Sequence, residues 1–532
     1  MLFTRPSGAA ASRPPDSIEL ACLDAKAGRF TEALEHVNES IFRQYQCMKA
    51  RALKENILKK LGRVQEAEEL HKESLKIDPL YDRQPEKINH NTLLELMIDL
   101  YEAGDYAQGI TLAEKWVEQQ NVSRQEDIYP LVYYYIAYGY QNLHRKENTE
   151  QTNHCMTVYV TLGENAVADG CFPHRTEDYI VLKSLAEDYY LDMVYYYLGC
   201  LLYDRRAYGE AIADYEEAAR RYPDFPTVHR NLALAYYNVK KQPQRAYEEM
   251  EKAFALDETD ARVYLELDQL KKRMNVPVSE RLEDMEKHFT LVESRDDLYL
   301  EYVTLLNTLG EPAKALGLIK ARKFHQWEGG EGKVAAQYLT ALYQLAKAAV
   351  EEGEYTEAKT ILLQAVDEYH HNLGEVKLES EQENNLYYLL GLVQEKLGET
   401  EEAFTSLTKA CHGESEPVGM MYYNDQPPEM IYYQGLAYRK LGNEEQAVRR
   451  FRKLVEYGRE HIEENVKIDY FAVSLPDLLI FEENLNERNR KHCLFMMSLG
   501  LKGLGQIDEA EKCAEELLAR DNAHQGIRVH DL

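Results

Sequence analysis

Apolar residues along most of this chain recur at three- and four-residue intervals, the spacing that gathers them on one face of an α-helix, with short polar or glycine-containing breaks between the runs. The stretch 192–223 shows the unit most fully. Tyr195, Leu198, Gly199 and Leu202 share a first predicted helix, Ala211, Tyr215 and Ala218 share a second, and Pro223 stops it. Small Gly199 and Ala211 fall where two antiparallel helices touch, and the large residues fill the holes beside them. One such pair cannot bury its own apolar face, so it must stack on neighbours. Leu232, Ala233, Tyr236, Ala246 and Ala253 predict the next pair.

The order of aromatic, Leu-Gly, Ala, aromatic, Ala and Pro within about 34 residues resembles the tetratricopeptide repeat. Eleven such pairs are recognisable, together with extra helices over 262–274 and 278–291. The expected fold is therefore all-α, a right-handed α-solenoid of helix-turn-helix repeats with irregular insertions. Residues 1–15 read as a disordered lead-in, 16–160 as N-terminal pairs, 161–185 as an irregular insertion, and 186–323 as central pairs with extra helices. A loop at 324–333, C-terminal pairs over 334–457, and an irregular apolar stretch with a capping pair over 458–532 complete the division. The second helix of the fourth pair, after Tyr133, Tyr134 and Tyr135, reads as degenerate.

Composition narrows the function. Lys and Arg number 62 against 92 Asp and Glu, a net charge of −30, which argues against nucleic acid and anionic membrane surfaces as partners. Eight cysteines without C-x-x-C spacing point to reduced thiols in a cytoplasmic protein. No run approaches the ~18 to 20 apolar residues of a membrane span. Phosphate-loop, zinc-protease and nucleophile-elbow motifs are absent from the sequence, so no catalytic residue, metal site or cofactor is expected.

Two features stand out as candidate chemistry. Forty tyrosines are above ordinary usage, and Tyr134, Tyr196, Tyr388 and Tyr432 take the same fifth position of the repeat, with Tyr138, Tyr203 and Tyr237 expected nearby. Rigid aromatic rings with a polar tip suit the gripping of a peptide or a sugar, and they equally suit helix packing. The other feature is the loop His325, Trp327, Glu328, Gly329, Gly330, Glu331, Gly332 and Lys333. Its acids and histidine fit either a ligand or acid/base site, or a helix cap and tight turn made possible by glycine. That loop, with Glu266-Leu267-Asp268-Gln269-Leu270, Arg281-Leu282, Asp296-Asp297-Leu298 and Asn372-Leu373-Gly374-Glu375, resembles the C-terminal repeat region of long bacterial proteins that carry a galactose-mutarotase-like β-sandwich domain of unknown function. Val376 departs from the glycine expected there. The resemblance implies a bacterial source, a fifth position facing the concave groove, and a chain that is a fragment or a stand-alone relative of those proteins. Two functions follow: a non-catalytic scaffold gripping a protein or peptide in its groove, or a glycan-recognising protein whose Trp327 loop forms a site with a missing β-sandwich.

Overall fold

In the computed structural model, described for residues 16–79, 81, 88–123, 128–147, 149–189, 191–325, 327, 329–366, 373–375, 377, 382–419, 425–467 and 480–530, every regular element is a helix. The chain divides into two units, 1–224 and 225–532, each a solenoid of antiparallel helix pairs.

In the first unit α1 (Ser17–Lys26) pairs with α2 (Phe30–Arg43), α3 (Met48–Lys60) with α4 (Val64–Ile77), and α5 (His90–Glu102) with α6 (Tyr106–Ser123). Next come α7 (Pro130–Glu147) with α8 (Glu150–Asn165), the single helix α9 (Thr176–Asp188), and α10 (Met193–Asp204) with α11 (Tyr208–Arg221). The fourth pair thus has a full second helix, and helix, not irregular chain, fills both ends of the insertion expected at 161–185. Thr149 caps α8 through its side chain and Asp178 in the first turn of α9 accepts from the backbone of His174 and Arg175, local signals that outweigh the weak apolar pattern.

In the second unit α12 (Pro226–Asn238) pairs with α13 (Pro243–Leu256); α14 (Ala261–Arg273), α15 (Val278–Lys287) and the short α16 (Phe289–Ser294) follow. The remaining pairs are α17 (Asp296–Thr308) with α18 (Pro312–Ala321), α19 (Lys333–Glu351) with α20 (Tyr355–Val366), and α21 (Asn384–Lys396) with α22 (Thr400–Ala410). Last are α23 (Pro428–Lys440) with α24 (Glu444–His461), α25 (Leu485–Gly503) with α26 (Ile507–Arg520), and the short α27 (Gln525–Val529).

Three of the pairs share one packing rule. A Cβ on Gly199 would come within 2.5 Å of the Tyr215 ring, one on Gly391 within 2.7 Å of Leu407, and one on Gly435 within 2.4 Å of Phe451. In each case a glycine on the first helix receives a large side chain from the second, which is why the two helices approach so closely. The turn between helices needs a left-handed residue, supplied by glycine at Gly62, Gly353 and Gly398 among others; Arg206, Lys241 and Asn275 take positive φ without it.

Buried ion pairs fasten the middle of the second unit. Arg281, 1% exposed, grips Asp268 through two bonds of 2.9 and 2.6 Å and reaches Glu301 at 2.7 Å. Glu266, fully buried, receives both arms of Arg230 at 2.6 Å. Of the charged residues on which the β-sandwich resemblance partly rests, Asp268 and Arg281 pair with each other and Glu266 pairs with Arg230, and these bonds hold α14 to α12 and α15 and α15 to α17.

Candidate functional site

The tyrosines of the fifth position fall into packed and half-exposed groups. In the first unit Tyr134 is fully buried, donates to Glu164 at 2.7 Å, and lies edge-on to Tyr197. Burial, reinforced by Glu164, pushes its hydroxyl well above the usual range, so it stays protonated. Tyr196, 7% exposed, packs against Tyr197 and Tyr215. Half-buried Tyr138 joins an aromatic cluster with Tyr101 and Tyr106, and half-buried Tyr203 meets Tyr208 at 4.9 Å. In the second unit Tyr432, 6% exposed, packs on Tyr433 and Phe451, while half-buried Tyr388 lies 5.7 Å from Tyr433. Tyr237 meets Phe481 edge-on at 5.1 Å.

Phe481 leads to the main geometric finding in the second unit: distant parts of its own chain lie against its first helices. Asn238 on α12 brackets the segment 480–482, donating to Ile480 O at 2.9 Å and accepting from Glu482 N at 2.8 Å. Asn275, just beyond α14, accepts from the backbone and side chain of Asn522, both at 2.7 Å. The first helices of this unit therefore lie against the segments that flank its last pair. Beyond Asn522, α27 and the residues that flank it, His524 and His530, meet the first helices of four pairs. The Gln525 side chain bonds to that of Gln337 on α19 at 3.0 Å and to Thr304 O and Thr308 Oγ1 on α17 at 3.4 Å. Lys347 on α19 donates to Val529 O at 3.1 Å, and His530 bonds through Nδ1 to Tyr433 on α23 at 3.0 Å, whose hydroxyl meets that of Tyr343 at 2.6 Å. Phe495 on α25 packs against His524 at 4.7 Å. A segment this short reaches four helices only where they curve around it, so these first helices form a concave face.

The repeat spacing can now be set beside known proteins. The tetratricopeptide repeat family model matches residues 196–261 and 343–415, and a second tetratricopeptide repeat model matches 429–457. These are tetratricopeptide repeats. Such repeats generally mediate protein–protein interaction, so the matches support a protein-interaction scaffold. Among solved structures the chain is similar to yeast Tom70, at 12% identity over 97% of this chain and 94% of that one, with a TM-score of 0.31. It is also similar to the P58(IPK) tetratricopeptide domain, at 10% identity over 92% and 98% with a TM-score of 0.22. A third likeness is to the Cut9 and Hcn1 assembly of the APC/C, at 13% identity over 97% and 88% with a TM-score of 0.26. Scores this low say nothing of a partner.

Within the tetratricopeptide array the Trp327 loop has a structural explanation. Glu375 accepts from Gly332 N at 2.7 Å and Ala335 N at 3.0 Å, capping α19, and Phe324 N donates to Leu373 O at 2.8 Å. Gly332 takes the left-handed conformation as the residue before α19, and a Cβ on Gly374, also at positive φ, would fall 1.9 Å from Phe324 O. Half-buried Trp327 lies on Gly330, where a Cβ would come within 2.3 Å of its ring. His325 bonds through backbone and side chain to Asp296; Gly329 is buried, whereas Glu331 and Lys333 are exposed. Glu328 lies outside the described residues. The cap expected from the loop's own acids thus comes from Glu375, 43 residues from Gly332. Among the described residues no group of three His, Cys, Asp or Glu side chains is placed to hold a metal ion, and no helix is long and apolar enough to cross a membrane.

Proposed function

We propose that this protein is a non-catalytic scaffold that holds a peptide or a protein segment on the face formed by the first helices of its repeats. The observation that carries the reading is residues 521–530 lying in the second unit against α17, α19, α23 and α25, held by side chains that address both their backbone and their side chains. A face that takes up a segment of chain in this way has the properties of a peptide site: curvature, amide and hydroxyl groups for the backbone, and aromatic rings for the side chains. Half-exposed Tyr138 and Tyr203 offer the same chemistry on first helices of the first unit. Glycan recognition around Trp327 has no observation in its favour, because the indole rests on Gly330 and the capping carboxylate belongs to Glu375.

Site-directed photo-crosslinking tests the reading. A benzoylphenylalanine replacing Tyr203 or Tyr138 in the full chain, irradiated in the source cell, is expected to give a discrete adduct. The same group replacing exposed Phe404, on the second helix of a pair, is expected to give none. Equal labelling from both faces, or none from either tyrosine position, would defeat the proposal.

A further inference from the structure

Residues 521–530 are more than the end of a repeat array. A helix that merely continued the solenoid would pack on α25 and α26, shielding the last pair from water. Instead α27 turns inward: Gln525 bonds to α17, 217 residues earlier, and to α19, 188 residues earlier. Its contacts follow a rule that can be read residue by residue. Gln525 presents a side-chain amide to Gln337 and Thr308. Gly526 must lack a side chain, since its Cβ would come within 2.6 Å of the Phe495 ring. Ile527 and Val529 are buried at 2% and 6% exposure, whereas Arg528 between them is exposed. His530 completes the series against Tyr433.

The anchoring is small and largely polar: two aliphatic side chains, one glycine contact and a few hydrogen bonds, with Lys347 addressing the Val529 carbonyl and not a particular side chain. Backbone-directed bonds of this kind serve any segment of similar shape, while the glycine contact and the Gln337 amide select among them. Resting on the scaffold reading above, we infer that the concave face of the second unit is a peptide-binding site whose occupant here is the chain's own segment 521–530, and that an outside peptide with the pattern Gln-Gly-aliphatic-any-aliphatic-His enters by displacing it. Being tethered, the internal segment competes at a high effective concentration, so the site is closed to weak ligands and open to matched ones.

The probe is a fluorescein-labelled peptide of residues 521–530, titrated against the full chain. Wild type is expected to bind it weakly. Gly526→Val, which drives the internal segment off Phe495, is expected to bind it about tenfold or more tightly. Gln525→Ala/His530→Ala, which removes atoms and introduces no clash, is expected to do the same. Adding Lys347→Glu to either is expected to reverse the gain, and a probe carrying valine for its glycine is expected to bind none of them. Opened chains that bind no better than wild type, or that bind the valine probe equally well, would overturn the inference. The photo-crosslinks at Tyr203 stand apart from this result: their presence beside a failed titration removes the internal ligand and leaves the scaffold, and their absence beside a successful one confines peptide binding to the second unit.

Discussion

At the scale of single residues the fold depends on glycines that accept a neighbour's side chain. Gly199 receives Tyr215 and Gly435 receives Phe451, rings that cannot deform; Gly391 receives Leu407, which can change rotamer. Gly199→Ala is therefore expected to destabilise by about 1 to 3 kcal/mol, the usual cost of overpacking, and Gly391→Ala by less. Denaturant midpoints of the two variants check this, and equal losses would show that the ring contact is not what limits the approach of the helices. These glycines were legible in the sequence because the partner lies in the same helix pair at a fixed spacing. The tyrosine beside each was harder to read. Tyr134, Tyr196 and Tyr432 share a repeat position that suits either a groove or a core, and what buries them is a second ring nearby, Tyr197 or Tyr433, which spacing alone does not reveal.

At the scale of elements, two helix starts carry more meaning than their lengths suggest. Glu375 caps α19 from outside that helix, so Glu375→Ala is expected to cost about 1 to 2 kcal/mol, while Glu331→Ala changes the melting midpoint little. The reverse result would return the capping role to the loop's own acids. The loop's glycines could be read as turn formers, but not the carboxylate they turn toward, since it arrives from another segment. The start of α27 adds a pH dependence. His524 caps it by accepting from Ile527 N at 3.4 Å, which requires an unprotonated Nδ1. Burial pushes this imidazole down from 6.5 to about 4; Asp521 opposes the shift and Lys491 adds to it. A depressed histidine contributes stability that is fully present above its unfolded value of 6.5 and is lost as pH falls toward 4. Wild type is expected to lose more stability between pH 7 and 4.5 than His524→Asn, whose side chain still caps but does not titrate. Thermal midpoints across that range decide it, and parallel curves would remove His524 from the account.

At the scale of the whole molecule, what the sequence did not disclose is that the second unit closes on itself. An open repeat array unfolds by nearest-neighbour steps, and its ends fray independently. In the second unit Asn275 and Asn522, 247 residues apart, make the two ends neighbours, and Asn238 does the same for the segment 480–482. Polar contacts over such distances leave no periodic trace in the chain, which is why a pattern built on helix spacing predicts an open groove. Closure has a mechanical consequence: no terminal pair of this unit can leave without breaking bonds to the other end, so its unfolding gains cooperativity. The two tryptophans make this measurable. Trp116 is buried in the first unit with its indole donating to Ile88 O at 2.9 Å, and Trp327 lies in the second on Gly330. In single-tryptophan variants, Trp116→Phe or Trp327→Phe, denaturant titrations are expected to give two transitions with different midpoints, the one seen by Trp327 being the steeper. Adding Asn522→Ala is expected to broaden and lower the Trp327 transition while leaving that of Trp116 in place. If both tryptophans report one coincident transition that Asn522→Ala shifts as a whole, the molecule is a single cooperative body and the closure of the second unit is not what sets its stability.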